Sequence, residues 1–162
     1  MYVIIRKFPD LNLVFIGPDE GMLTSLKSIV EDNSVSDRVH FCGFVSRKDK
    51  SKIIHSSLFL TIPSRQEAMS IVVLEAGISG KPVLITDQWG FDEVEQIGGG
   101  LVVSANVEGL YKGINKMINQ ESSLDYMGKN LQKSVRQNFL WSITVKRHLS
   151  LFKDLTNAEI WI

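Results

Sequence analysis

Five short runs rich in β-branched and aromatic residues, each followed by a stretch of helical spacing, leave this chain few ways to fold. The runs span residues 11–17, 38–43, 58–62, 82–86 and 101–103, bounded by glycine, proline and small polar residues. After the first, Asp19 and Glu20 suit an opening helical turn, and Met22, Leu23, Leu26, Ile29 and Val30 recur on one helical face. Ile53 and Ile54 mark a short helix over 47–56. An apolar helix carrying Glu75 runs to about Ser79, where Gly80 suits a C-cap. Residues 92–95 read as a turn or short helix. Two further helical stripes follow, Val107, Leu110, Tyr111, Ile114, Met117 and Ile118, then Trp141, Val145, Leu149, Phe152 and Leu155. Strands alternating with helices call for right-handed crossovers, hence an α/β, doubly wound, Rossmann-like parallel sheet with helices on both faces. The strands are nearly continuous in apolar character, as two covered faces require.

With 162 residues and 44% apolar content, the chain supports one cored domain over 1–162. Eighteen basic and eighteen acidic residues cancel, which argues against a nucleic-acid partner. A single cysteine, Cys42, gives no disulfide framework, and no secretory leader opens the sequence. A cytoplasmic setting fits. No apolar stretch reaches the roughly 18 residues of a membrane span, so any membrane contact would be peripheral. Residues 1–8 read as a truncated helix whose preceding strand is absent, and 138–162 as a C-terminal helix.

Chemistry concentrates at Glu67 and Glu75. Glu75 is the one charged residue between Ala68 and Gly80, and a carboxylate is costly to bury unpartnered. In open α/β sheets ligands sit at the carboxyl ends of strands, where helix N-termini offer N–H groups to anions. Backbone amides of Met69, Ser70 and Ile71, with small Ala68 and Ser70 allowing close approach, suit a diphosphate. Glu67 and Glu75 then lie to either side, and eight residues of helix rise about 12 Å, matching the reach from ribose to sugar. Two plainer readings stand beside this one. Ser64 and Glu67 have the spacing of a capping box, and Glu75 has the option of a structural pair with a buried Arg or Lys.

Six segments in order carry a resemblance: 13–17; 39–45 with Gly43, Phe44 and Val45; Pro63, Ser64 and Glu67; 74–83 with Glu75, Gly77, Gly80 and Pro82; Gly90 with Glu93; and Gly100 with Leu101. Met127, Gly128, Phe139 and Trp141 extend it. From residue 11 to about 152 the chain resembles the C-terminal donor-binding domain of retaining glycosyltransferases of the GT-B fold, in the glycogen-synthase-like and lipopolysaccharide-transferase-like group. The resemblance implies that Glu67 lies near the transferred sugar, that Glu75 binds the ribose hydroxyls, and that Met69, Ser70 and Ile71 hold the diphosphate. It implies that Phe44 and Val45 pack on the nucleobase and that the loop with Gly90 faces the sugar or acceptor cleft. The partners implied are a nucleoside diphosphate sugar and a saccharide or lipid-linked acceptor, with no cofactor and no protein-held metal. The family's first strand, with the loop that gives an Arg and a Lys to the pyrophosphate, and its N-terminal acceptor domain have no counterpart in these residues. Diphosphate charge is therefore expected to rest on backbone dipoles alone, and transfer by this chain by itself to be absent or very slow.

Other motifs read as structural. Gly17 to Gly21 lacks the dinucleotide-binding glycine spacing, and Asp19 and Glu20 would repel a pyrophosphate. Gly98, Gly99 and Gly100 precede a strand and read as a tight turn. His40, His55 and His148 have no metal-ligand spacing. Cys42 is expected to be a buried thiol, Arg65 and Lys81 to be solvated, and the Trp141 and Phe152 stripe to pack on this domain or on the missing one rather than on a membrane. A sugar-nucleotide epimerase half, or a non-catalytic nucleotide-binding module, are the alternative functions.

Overall fold

The computed structural model describes residues 2–65, 70–88 and 93–157. Eight helices and five strands occur in the order α1 (Tyr2–Lys7), β1 (Leu13–Phe15), α2 (Leu23–Asp32), β2 (Val39–Phe41), α3 (Arg47–Ser56), β3 (Leu60–Ile62), α4 (Ile71–Ile78), β4 (Val83–Thr86), α5 (Glu93–Gln96), β5 (Gly100–Val103), α6 (Val107–Asn119), α7 (Glu121–Asn138) and α8 (Trp141–Asn157) among the described residues. Every expected strand is present, four of them trimmed and β5 starting one residue earlier, at Gly100, and all pairings are parallel.

β4 shows why the sheet is covered twice. All four of its residues are buried, and its side chains alternate between faces. Val83 and Ile85 join Val73, Ala76, Leu131 and Val135 from α4 and α7. Leu84 joins Ile4, Ile114, Met117 and Leu124 from α1, α6 and α7 on the opposite face. A third cluster, Ile5, Val35 and Val39, packs beneath the β1–β2 pair, where the Phe15 and Phe41 rings stack with centroids 5.0 Å apart. α1 is fixed from both sides. Its Ile4 and Ile5 are each 1% exposed, and the Arg38 guanidinium donates to the Ile5, Phe8 and Pro9 carbonyls.

The five strands form two parallel sheets, β1–β2 and β3–β4–β5, rather than one. In β1 the N–H of Leu13 donates to Arg38 and the carbonyl of Phe15 accepts from Cys42. By ladder alternation, the backbone of Val14 therefore faces away from β2. The unpaired edge lies across a cavity of about 900 Å³ that residues of both β1 and β3 line.

Several expectations need correction. Asp19 precedes α2 instead of lying in its first turn, and its Oδ1 accepts from the N–H groups of Gly21, Met22 and Leu23 at 2.8, 3.0 and 3.1 Å. Cys42 is exposed, because β2 ends at Phe41 and leaves it at the open end of the sheet. Residue 138 closes α7, so the last helix starts at Trp141. Of the two partners expected for the α8 stripe, this domain is not one among the described residues: Trp141 is 81% exposed and Phe152 59%. Among the described residues no helix is long and apolar enough to cross a membrane.

Close approach between α7 and the α4–β4 turn completes the frame. A methyl on Gly128 would lie 2.0 Å from the Gly80 carbonyl oxygen. Gly80 itself has φ +69, the left-handed conformation that ends α4.

Candidate functional site

α4 is positioned by its small residues. Val73, Ala76 and Gly77 are buried, and a Cβ on Gly77 would meet Val135 at 2.6 Å, so α7 lies directly against this face. Glu75 is left at the margin of the packed face, where water access is partial.

Its partner is Lys50 of α3, whose Nζ stands 2.6 Å from Glu75 Oε1, with the two side chains 32% and 30% exposed. The structural-pair reading of Glu75 is thus met by a lysine. The second oxygen, Oε2, is buried and has no hydrogen-bond partner among the described residues. Buried acceptors are nearly always satisfied, so an unpaired one calls for a donor. Glu75 and Lys50 line a cavity of about 290 Å³ together with Arg47, Ser51, Leu74 and Ser79.

The local sequence explains why α3 brings its cations here. Ser46 caps the helix: its Oγ accepts from the Asp49 N–H at 3.2 Å and donates to Asp49 Oδ2 at 2.7 Å. That hydroxyl, with the Lys52 ammonium, holds the Asp49 carboxyl below its ordinary range. Ile54 is buried, and Lys50 lies four residues earlier on the same helical face, with Arg47 three before that. The spacing of Lys50 to Ile54 was the signal for an inward-facing lysine, and sequence reasoning passed over it.

The capping-box reading of Ser64 and Glu67 is overturned. The N-cap of α4 is Ser70, whose Oγ accepts from the Val72 N–H at 3.2 Å. α4 starts at Ile71, so no single helix runs from Glu67 to Glu75 and the roughly 12 Å rise expected between them does not apply; from Ile71 to Glu75 α4 rises about 6 Å. Glu67, Met69 and Gly90 lie outside the described residues. Ser70 is half-buried and Ile71 is 72% exposed, one turn ahead of Glu75. The Ser70 carbonyl and hydroxyl accept from the N–H groups of Val73 and Val72 at 3.1 and 3.2 Å.

Phe44 and Val45 follow Gly43, whose φ of +59 turns the chain out of β2. Phe44 is 85% exposed and Val45 half-buried. Neither lines the 290 Å³ cavity, although Arg47, two residues on, does. The open ends of β3 and β4 are tied by the buried Thr86, whose hydroxyl donates to the Ser64 carbonyl. Asp87 joins β4 to the end of β5, its N–H donating to Val103 at 2.8 Å and its Oδ1 accepting from the Ala105 N–H at 3.2 Å.

Comparison with known proteins gives one family model match, described as glycosyl transferases group 1, over residues 2–134. An uncharacterized glycosyltransferase of Methanocaldococcus jannaschii is 26% identical over 158 residues, covering 93% of this chain and 40% of that relative. Sucrose-phosphate synthase of Thermosynechococcus elongatus superposes with a TM-score of 0.81 at 20% identity, covering 96% of this chain and 41% of the other. HepE of Anabaena, solved in complex with UDP, gives 0.77 at 22%, covering 90% and 42%. The chain therefore spans about two fifths of the length of these proteins.

Proposed function

Because this chain belongs to the group 1 glycosyl transferases, we propose that it is the donor-binding domain, over 1–162, of a cytoplasmic retaining glycosyltransferase. In this reading the whole protein moves a hexose from a nucleoside diphosphate sugar to a saccharide or lipid-linked acceptor. The observation that carries it is Glu75, with one carboxylate oxygen buried and unpartnered among the described residues and a cavity beside it. A carboxylate accepts two hydrogen bonds side by side, which suits the vicinal hydroxyls of a ribose. A complex of UDP with a protein of the same fold supports a nucleotide as the ligand class.

The rest of the ligand follows the strand ends. The diphosphate rests on the amides of Met69, Ser70 and Ile71, where the α4 dipole favours negative charge. Phe44 and Val45 pack on the base, and the loop with Gly90 faces the sugar. Glu67 orients the sugar and stabilises positive charge as it develops on the ring. No side chain here acts as a nucleophile. The contribution to rate is positional and electrostatic, since fixed amides and the helix dipole stabilise the leaving diphosphate without reorganising.

Calorimetric titration with UDP, GDP and ADP, repeated on Glu75→Ala, tests the reading. One nucleotide is expected to bind and to weaken at least tenfold, about 1.4 kcal/mol, in the variant. Binding that ignores the substitution would refute the ribose role of Glu75.

A further inference from the structure

The lysine that holds Glu75 also blocks half of it. Oε1 is taken by the Lys50 ammonium at 2.6 Å, whereas Oε2 is buried and unpartnered among the described residues. A vicinal pair of hydroxyls must therefore displace the ammonium to reach the carboxylate. The displaced group then sits in a cavity wall that is only about one-third exposed, and an ammonium in such a position without a counter-charge is unfavourable.

We propose that Lys50 makes this site selective for the charged nucleotide over the bare nucleoside: its ammonium fills Glu75 when the site is empty, yields the carboxylate to the ribose hydroxyls, and pairs with the ligand's diphosphate. The inference rests on the ribose reading of Glu75. Three features support the exchange. The stem of Lys50 is flexible and its three N–H donors rotate freely. The N-terminus of α4, where the diphosphate sits in that reading, is one turn of about 6 Å from Glu75. Arg47, one turn before Lys50 on the same face, lines the same cavity and has no ion pair among the described residues. In this exchange Lys50, with Arg47 beside it, adds a cationic partner for the diphosphate to the backbone dipoles.

A neutral nucleoside breaks the Lys50–Glu75 pair and offers nothing in return. A nucleoside diphosphate exchanges one counter-ion for another. Removing the lysine charge should therefore move the two ligands in opposite directions, which a merely structural role would not do.

The test is ligand-detected NMR titration of the protein with uridine and UDP, guanosine and GDP, and adenosine and ADP, on the wild type, Lys50→Met, Lys50→Gln and Glu75→Ala. For the pair that binds, the wild type should prefer the diphosphate. Both Lys50 variants should bind the nucleoside several-fold more tightly and the diphosphate several-fold more weakly, so that the ratio of the two Kd values collapses at least tenfold. Lys50→Gln keeps a hydrogen-bond donor for Glu75 without the charge, which guards against a fold defect in Lys50→Met. Loss of both ligands in parallel, or an unchanged ratio, would overturn the role of Lys50 while a Glu75→Ala loss kept the ribose reading standing. Binding that is indifferent to Glu75→Ala, or no binding at all by the wild type, would overturn both.

Discussion

Gly128→Ala is expected to destabilise the protein although it replaces glycine by the best helix former inside an 18-residue helix. Propensity alone would favour the variant by about 1 kcal/mol. The contact opposes this. The new methyl would stand 2.0 Å from the Gly80 carbonyl oxygen and 2.7 Å from its carbon, and these are backbone atoms, with no side chain free to swing aside. α7 must therefore retreat by more than 1 Å to recover an ordinary van der Waals separation of about 3.5 Å. Overpacking of this kind costs about 1–3 kcal/mol and occasionally more. The upper end applies, because the retreat also loosens Val135 and Leu131 from Gly77 and from the buried cluster they share with β4. Net of propensity, the loss should be about 2 kcal/mol, or a fall in Tm of about 4–8 °C for a domain of this size. Urea denaturation reads this as a lower midpoint at unchanged slope. Gly80→Ala is the control: its Cβ meets only Gln132, at 3.5 Å, so its cost should come from the positive φ alone, about 1–2 kcal/mol. A Gly128→Ala protein as stable as the wild type, or more so, would refute the close approach.

Acid should unfasten the start of α2. N–H donation from Leu23, then Gly21 and Met22, holds the Asp19 carboxyl below its ordinary value of 3.8, so its stabilisation is complete above that value and lost as pH falls through the lowered folded pKa. An NMR titration midpoint for Asp19 at or above 3.8 would contradict this, and Asp19→Asn should abolish that part of the acid response. Thr86→Val keeps the shape of a fully buried side chain but strips the Ser64 carbonyl of its donor, which should cost about 1–3 kcal/mol. An unchanged urea midpoint would mean that the hydroxyl bond contributes nothing.

What sequence periodicity made legible is the set of elements that bury a regular face. β4 has four apolar or β-branched residues in a row and is buried throughout, and α3 spans Arg47–Ser56 as its isoleucines imply. Period fails where two helices abut. Gln120 closes α6 and opens α7 in a single residue, so there is no glycine or proline to punctuate the join. It also fails at Trp141 and Phe152, because an amphipathic stripe states that a face wants covering and not what covers it. Cys42 shows the same limit on a smaller scale: an apolar neighbour on one side suggested burial, but exposure was decided by β2 ending one residue earlier.

The site was legible in its acid and not in its base. Glu75 stands out in sequence because an isolated carboxylate among apolar residues demands a partner, whereas Lys50 sits in a run with Arg47, Lys48 and Lys52, where any one cation looks like its solvated neighbours. Only the helical phase separates them. Lys48 and Lys52 fall on the outer face and are exposed, while Lys50, in step with buried Ile54, is drawn inward to the carboxylate 2.6 Å away. The capping error has a related cause. Ser64 with Glu67, and Ser70 alone, both offer a hydroxyl ahead of the apolar run, and composition does not choose between them. The choice falls to tertiary structure: Thr86 ties Ser64 to the end of β4, and the Ser70 hydroxyl is then the one that meets the free N–H of Val72. One consequence bears directly on chemistry. With the helix beginning at Ile71, Glu75 stands on the second turn of a helix already in place, so in the proposed reading the ribose end of the ligand meets a carboxylate whose position the backbone of α4 fixes before binding.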